Sequence, residues 1–195
     1  MGREIGVHVT SLKNKVMLSV DKTVLTDIAK DIYNAVTIEK RRQAFWRAME
    51  HFSYVGEGVG RVAFRDGDVV IKFAKSPEMY KFEKRRENRK GTPLKSNCDG
   101  KNQMRKEINL FNKTSSENLL PVLDYHEDYL WGVYPYIDNM EIPYGGVGEF
   151  REQLNIRIND VKSSNMGWYN GRIVLIDYGL GYKGSLDQDT LANFV

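Results

Sequence analysis

NDVKSSNMGWYNGRIVLIDYG, residues 159–179, sets Asp160, Lys162 and Asn165 within six residues and ends on Asp177-Tyr178-Gly179. Between them, apolar runs flank Asn170-Gly171, the strongest short-range hairpin signal in the chain. A turn there folds 166–169 back on 172–177 and leaves Asn165 and Asp177 side by side at the open end. Asp160 lies one short loop away. Carboxylate and amide oxygens so placed are hard donors of the kind Mg²⁺ prefers. The competing reading is an ordinary polar loop. Gly179 is expected to let the chain turn sharply away from such a site.

Upstream, GEGVGRV places Gly56, Gly58 and Gly60 between two strands, where bare backbone N–H groups reach phosphate oxygens. Tight hairpins also carry glycines for reasons of their own. Twelve residues past Gly60, Lys72 stands in VVIKFA with apolar neighbours on both sides, and a lysine buried there needs a counter-charge. Glu107, in QMRKEINLF, is the candidate partner; Arg105 and Lys106 face other directions by helical geometry.

The remaining pattern predicts an α+β domain with no internal repeat. In DKTVLTDIAKDIYNAV, Leu25, Ile28, Ala29, Ile32, Tyr33 and Val36 share one helical face, with Asp21 or Thr23 as N-cap. Ile38, Phe45, Ala48, Met49 and Phe52 repeat the pattern in a second helix, whose other face holds Lys40, Arg41, Arg42 and Arg47. From residue 53, FSYVGEGVGRVAFRDGDVVIKFAK reads as three strands with an Asp66-Gly67 turn. A helix capped by Ser76 with Pro77 at its first position follows. A loop to residue 102, a helix with Met104, Ile108 and Phe111 inward, two strands around a His126–Asp128 turn and a short helix near 146–158 complete the reading.

Glycine turn, strand lysine, helix glutamate, Asp-x-Lys-x-x-Asn and Asp-Tyr-Gly, in this order, resemble the protein kinase-like superfamily over roughly residues 53–181. The resemblance implies an N-lobe antiparallel sheet with one packed helix (53–138), a much reduced lower lobe (139–195) and an N-terminal helical extension (1–52). It implies ATP and Mg²⁺ as cofactors. Gly56, Gly58 and Gly60 would cover the phosphates, Lys72 would contact them, and Glu107 would hold Lys72. Adenine would lie along residues 133–138, near Tyr134 and Tyr136. Asp160 would accept the proton of the attacking hydroxyl, Lys162 would sit by the transferred group, and Asn165 and Asp177 would hold the metal.

The departures are informative. The third glycine of the family loop falls on Arg61, and Ile158-Asn159 stands where His-Arg is usual, so control by a phosphorylated activation loop is not expected. Only about twenty residues lie between 138 and Asp160, and the chain ends sixteen residues after Gly179, which implies a stub of a lower lobe. Two functions follow. One is a compact Ser/Thr kinase-like phosphotransferase acting on a protein, with AMP transfer or small-molecule phosphorylation as variants. The other is a kinase-fold binding module that regulates a partner protein. Such compactness resembles kinase-like proteins of bacteriophages.

Composition narrows the setting. The chain has 195 residues, 41% apolar and 28% charged, with a net charge of +3. No apolar run suits a membrane span, and MGREIGVHVTSLKNK lacks a signal-peptide core. One cysteine, Cys98, forms no internal disulfide, and three scattered histidines make no zinc cage. A cytoplasmic protein without membrane contact is expected. Residues 81–106 carry ten Lys/Arg against three acids, whereas 117–195 carry twelve acids against five bases. The basic segment reads first as a solvated face; a nucleic acid or an acidic protein partner is the alternative.

Overall fold

The computed structural model describes residues 18–79, 99–137, 144–154, 158 and 161–179. Residues 1–17, most of the helix after Pro77, the basic stretch 81–98, Asp160 and the residues after Gly179 lie outside them.

Helix α1 (Lys22–Tyr33) starts where Asp21 accepts hydrogen bonds from the N–H groups of Thr23 and Val24, which satisfies two of the orphan donors of the first turn. Thr37 caps α2 (Ile38–Met49) through the N–H of Lys40. Leu25, Ile28, Ala29 and Ile32 are buried along α1. Alanines 44 and 48 let α2 approach closely, and Phe52 closes the pair. The expected stripe is only partly covered: Val36, Ile38 and Met49 are each more than 40% exposed.

Both helices lie on one face of a five-stranded antiparallel sheet of order β1-β2-β3-β5-β4. Its strands are β1 (Ser53–Glu57), β2 (Arg61–Asp66), β3 (Val69–Ala74), β4 (Asp124–Tyr125) and β5 (Trp131–Pro135). Strand side chains alternate between faces. Val62, Phe64, Ile71, Phe73 and Val133 therefore join the core beneath α1 and α2, while Ala63, Val70, Lys72 and Tyr134 point the other way. Full burial of each large apolar side chain stabilises by about 1.5–3 kcal/mol. Edge-to-face rings, Phe45 on Phe64 at 6.0 Å and Phe64 on Phe73 at 5.8 Å, lock the layers. The Trp131 Nε1–H donates to Thr26 at 3.1 Å. Residues 18–52 thus share one core with the strands. The β2–β3 turn falls on Gly67 and Asp68, one residue later than expected, with Gly67 at φ 58°.

The second face carries α3 (Gly100–Thr114), capped by Asp99. It starts in the stretch read as a loop, because Gly100 has no Cβ: one there would clash with the Gly60 carbonyl and meet the Lys75 nitrogen at 2.5 Å. Ser76 caps the turn at 77–79 by accepting from the Met79 N–H at 3.3 Å. Below, α4 (Tyr144–Gln153) and the hairpin of β6 (Met166–Tyr169) and β7 (Arg172–Leu175) pack against α3 through Leu110, Leu119, Phe150, Met166 and Leu175. Asn170 and Gly171 form the hairpin turn at φ 50° and 78°. Among the described residues no helix is long and apolar enough to cross a membrane.

Candidate functional site

The inner face of the sheet and the open end of the β6–β7 hairpin enclose a cleft of about 250 Å³. Ala63 and Val70 form its apolar roof, Tyr134 its back wall, and Asn165, Ile176 and Asp177 its floor. The alternation of β3 aims Lys72 into this space, and the hairpin register carries the two floor donors to it. A backbone bond from the Ile176 N–H to the Asn165 carbonyl, 2.8 Å, fixes Asn165 beside the residue preceding Asp177.

Lys72 donates from Nζ to Glu107 Oε1 and to the Ile176 carbonyl, both at 2.6 Å, and sits 4.2 Å above the Tyr134 ring. Glu107 is completely buried, so the lysine is the counter-charge it requires. It is not the only one. The Arg61 guanidinium donates to Glu107 Oε2 at 2.5 Å and, with its other arm, to Asp177 Oδ1. Two cations and two carboxylates thus close a neutral cluster across β2, β3, α3 and the end of β7.

Burial acts to lower the Arg61 pKa, but Asp177 and Glu107 outweigh it and raise it further, so the guanidinium stays charged. Burial lowers that of Lys72, with Arg61 adding to the effect and Glu107 offsetting part of it. For Asp177, burial works upward, yet Arg61 and Lys72 prevail and hold it below the ordinary 3.8. Lys162, exposed at the start of the 3₁₀ turn Ser163–Asn165, adds to that downward pull. Burial and the charge of Glu107 push the Tyr134 phenol well above its usual range, and its O–H donates to Met104 Sδ at 3.4 Å.

The glycines divide into two kinds. Gly56 and Gly58 have open space where a Cβ would stand, and the Gly58 N–H is already bonded to the Arg61 carbonyl at 2.8 Å. Gly60 instead lies against the Gln103 side chain of α3, and its carbonyl accepts from Lys75 at 2.7 Å. Gly179 is likewise a close-approach glycine: a Cβ would meet the Gln103 carbonyl oxygen at 2.6 Å. That packing against α3, not a left-handed turn, is what its missing side chain serves. The Tyr136 N–H, expected at the adenine edge, is committed to the Asp68 carbonyl at 2.8 Å, and Tyr134 is fully buried behind Lys72.

Lys72, Tyr134, Tyr136, Asn165 and Asp177 therefore line one cleft, Glu107 lies buried behind it as the partner of Lys72, and Lys162 acts on it through its charge on Asp177; Asp160 lies outside the described residues. Sequence reasoning missed Arg61 as a participant. Its one signal was its place where the kinase pattern has a glycine. Ser164, which also lines the cleft, was missed too. Among the described residues no three His, Cys, Asp or Glu side chains gather to hold a metal ion alone. Asp177 nevertheless keeps its second oxygen clear of every described donor, and its side chain is 38% exposed beside Asn165. This oxygen pair fits a Mg²⁺ shared with phosphate groups. Neither protein-family models nor curated protein sequences match the chain.

Proposed function

We propose that the protein is an ATP- and Mg²⁺-dependent phosphotransferase of the protein kinase-like superfamily, acting on a hydroxyl of a protein. The observation that carries this reading is the Lys72–Glu107 ion pair at 2.6 Å, facing Asn165 and Asp177 across one cleft. The strand order β1-β2-β3-β5-β4, with α3 inserted between β3 and β4, supports it.

An ammonium has three N–H groups. Two of those on Lys72 are spent on Glu107 and Ile176, which leaves one for an α- or β-phosphate oxygen. The apolar roof of Ala63 and Val70 suits a purine ring. With the Tyr136 amide committed, the next donor along the edge is that of Ile137, which also lines the cleft. Asp177 and Asn165 would hold Mg²⁺, which neutralises charge on the phosphates when bound. Asp160 would accept the acceptor hydroxyl's proton, and Lys162 would steady the transferred group. Phosphoryl transfer needs position and charge more than a large scaffold.

A second reading, a binding module that regulates a partner protein, is favoured by one observation: the four charges of the cluster satisfy one another without any ligand. Incubation with γ-labelled ATP and Mg²⁺, with and without a cell lysate, separates the two. Label is expected with wild type and reduced roughly 10²–10⁴-fold in Asp160→Ala, the usual worth of a positioned base. No label from either γ- or α-labelled ATP would favour the binding module.

A further inference from the structure

Arg61 opens β2 directly after the glycine turn, yet its side chain is only 7% exposed. Its two partners lie 46 and 116 residues away in the chain. A buried guanidinium is costly unless both arms of its fork are met, and here each arm ends on a carboxylate. Resting on the nucleotide reading above, we infer that Arg61 is a positioning residue that acts as a resident cation on Asp177 and limits the cleft to one divalent ion.

Asp177 has two oxygens, and Arg61 closes Oδ1. The other, with the Asn165 amide oxygen, makes a donor pair for one cation completed by phosphate and water. A second divalent ion on the same carboxylate would need Oδ1 and would lie against a fixed positive charge in a poorly solvated place. The cluster of Lys72, Arg61, Glu107 and Asp177 is already neutral. Further positive charge is therefore admitted together with the negative charge of the nucleotide, not ahead of it.

The test is Mn²⁺ titration of the full chain, following free Mn²⁺ by electron paramagnetic resonance, with and without a nonhydrolysable ATP analogue. Wild type is expected to take one Mn²⁺ per chain with the analogue and to bind it about tenfold or more weakly without. Arg61→Met is expected to admit a second Mn²⁺ or to raise nucleotide-free affinity on the order of tenfold. Arg61→Lys keeps the charge and is expected to hold the count at one. Two Mn²⁺ in wild type, or in Arg61→Lys, would overturn the inference and leave the nucleotide reading standing. So would a folded Arg61→Met that matches wild type in count and affinity. An analogue that binds at no Mn²⁺ concentration would overturn both. If Arg61→Met does not fold, Arg61→Gln, which removes the charge but keeps a polar side chain, takes its place with the same two outcomes.

Discussion

What a Cβ would meet separates the glycines that pack against α3 from those that face open space. A Cβ on Gly179 would meet the backbone carbonyl of Gln103, which cannot swing aside, and Glu107 Oε2 at 3.2 Å. Gly179→Ala is therefore expected to destabilise the fold by about 1–3 kcal/mol, the usual result of overpacking. Gly58→Ala meets open space and is expected to stay within about 0.5 kcal/mol of wild type. Urea unfolding of both variants checks the contrast; equal losses would refute it. Composition alone does not tell these glycines apart, because the difference lies in what a distant helix places beside them. Arg61 was hidden for the same reason. Lys72 and Glu107 were legible, since a lysine among apolar strand residues demands an acid and a neighbouring amphipathic helix offers one.

Among the elements, α1 and α2 do more than precede the sheet. Buried Leu25, Ile28 and Ile32 cover the strand face that Ile71, Phe73 and Val133 present. Arg41 of α2 donates two hydrogen bonds, 2.5 and 2.7 Å, to Glu57 beside the glycine turn. Lys75, 1% exposed, reaches the same carboxylate at 3.3 Å. Arg41 and Lys75 thus hold Glu57 at the start of the glycine turn, while Arg61 anchors the other side of the same turn to Glu107 and Asp177. Ile28→Ala is expected to cost about 2–5 kcal/mol, because it opens a cavity in that shared core. Thermal unfolding monitored by circular dichroism tests this, and a loss below about 0.5 kcal/mol would mean that α1 does not bear on the sheet. Helical periodicity identified the buried residues of α1 well, since four of the six expected are covered. It overstated α2, whose Ile38 and Met49 stay exposed while alanine makes the contact. A hydrophobic stripe indicates which residues prefer burial, but the width of the facing surface decides how many achieve it.

At the scale of the whole molecule, the order of the parts was readable and their closeness was not. The Asn170-Gly171 hairpin, the strand lysine and the acidic helix position were each local signals. That they enclose a common space depends on α3 crossing the sheet and on the Leu120 N–H donating to the Leu175 carbonyl while the Leu175 N–H donates to the Asn118 carbonyl. Tyr178 completes this join by donating its O–H to the Leu120 carbonyl at 3.0 Å. The central claim is that this enclosed space binds a nucleotide with its metal. Calorimetric titration of a nonhydrolysable ATP analogue, with and without Mg²⁺, into wild type and Asp177→Asn tests it most directly. The account predicts one binding event per wild-type chain, strengthened by Mg²⁺, and loss of that strengthening in Asp177→Asn. Absence of binding to the wild type, or Mg²⁺ strengthening that survives in Asp177→Asn, would contradict it.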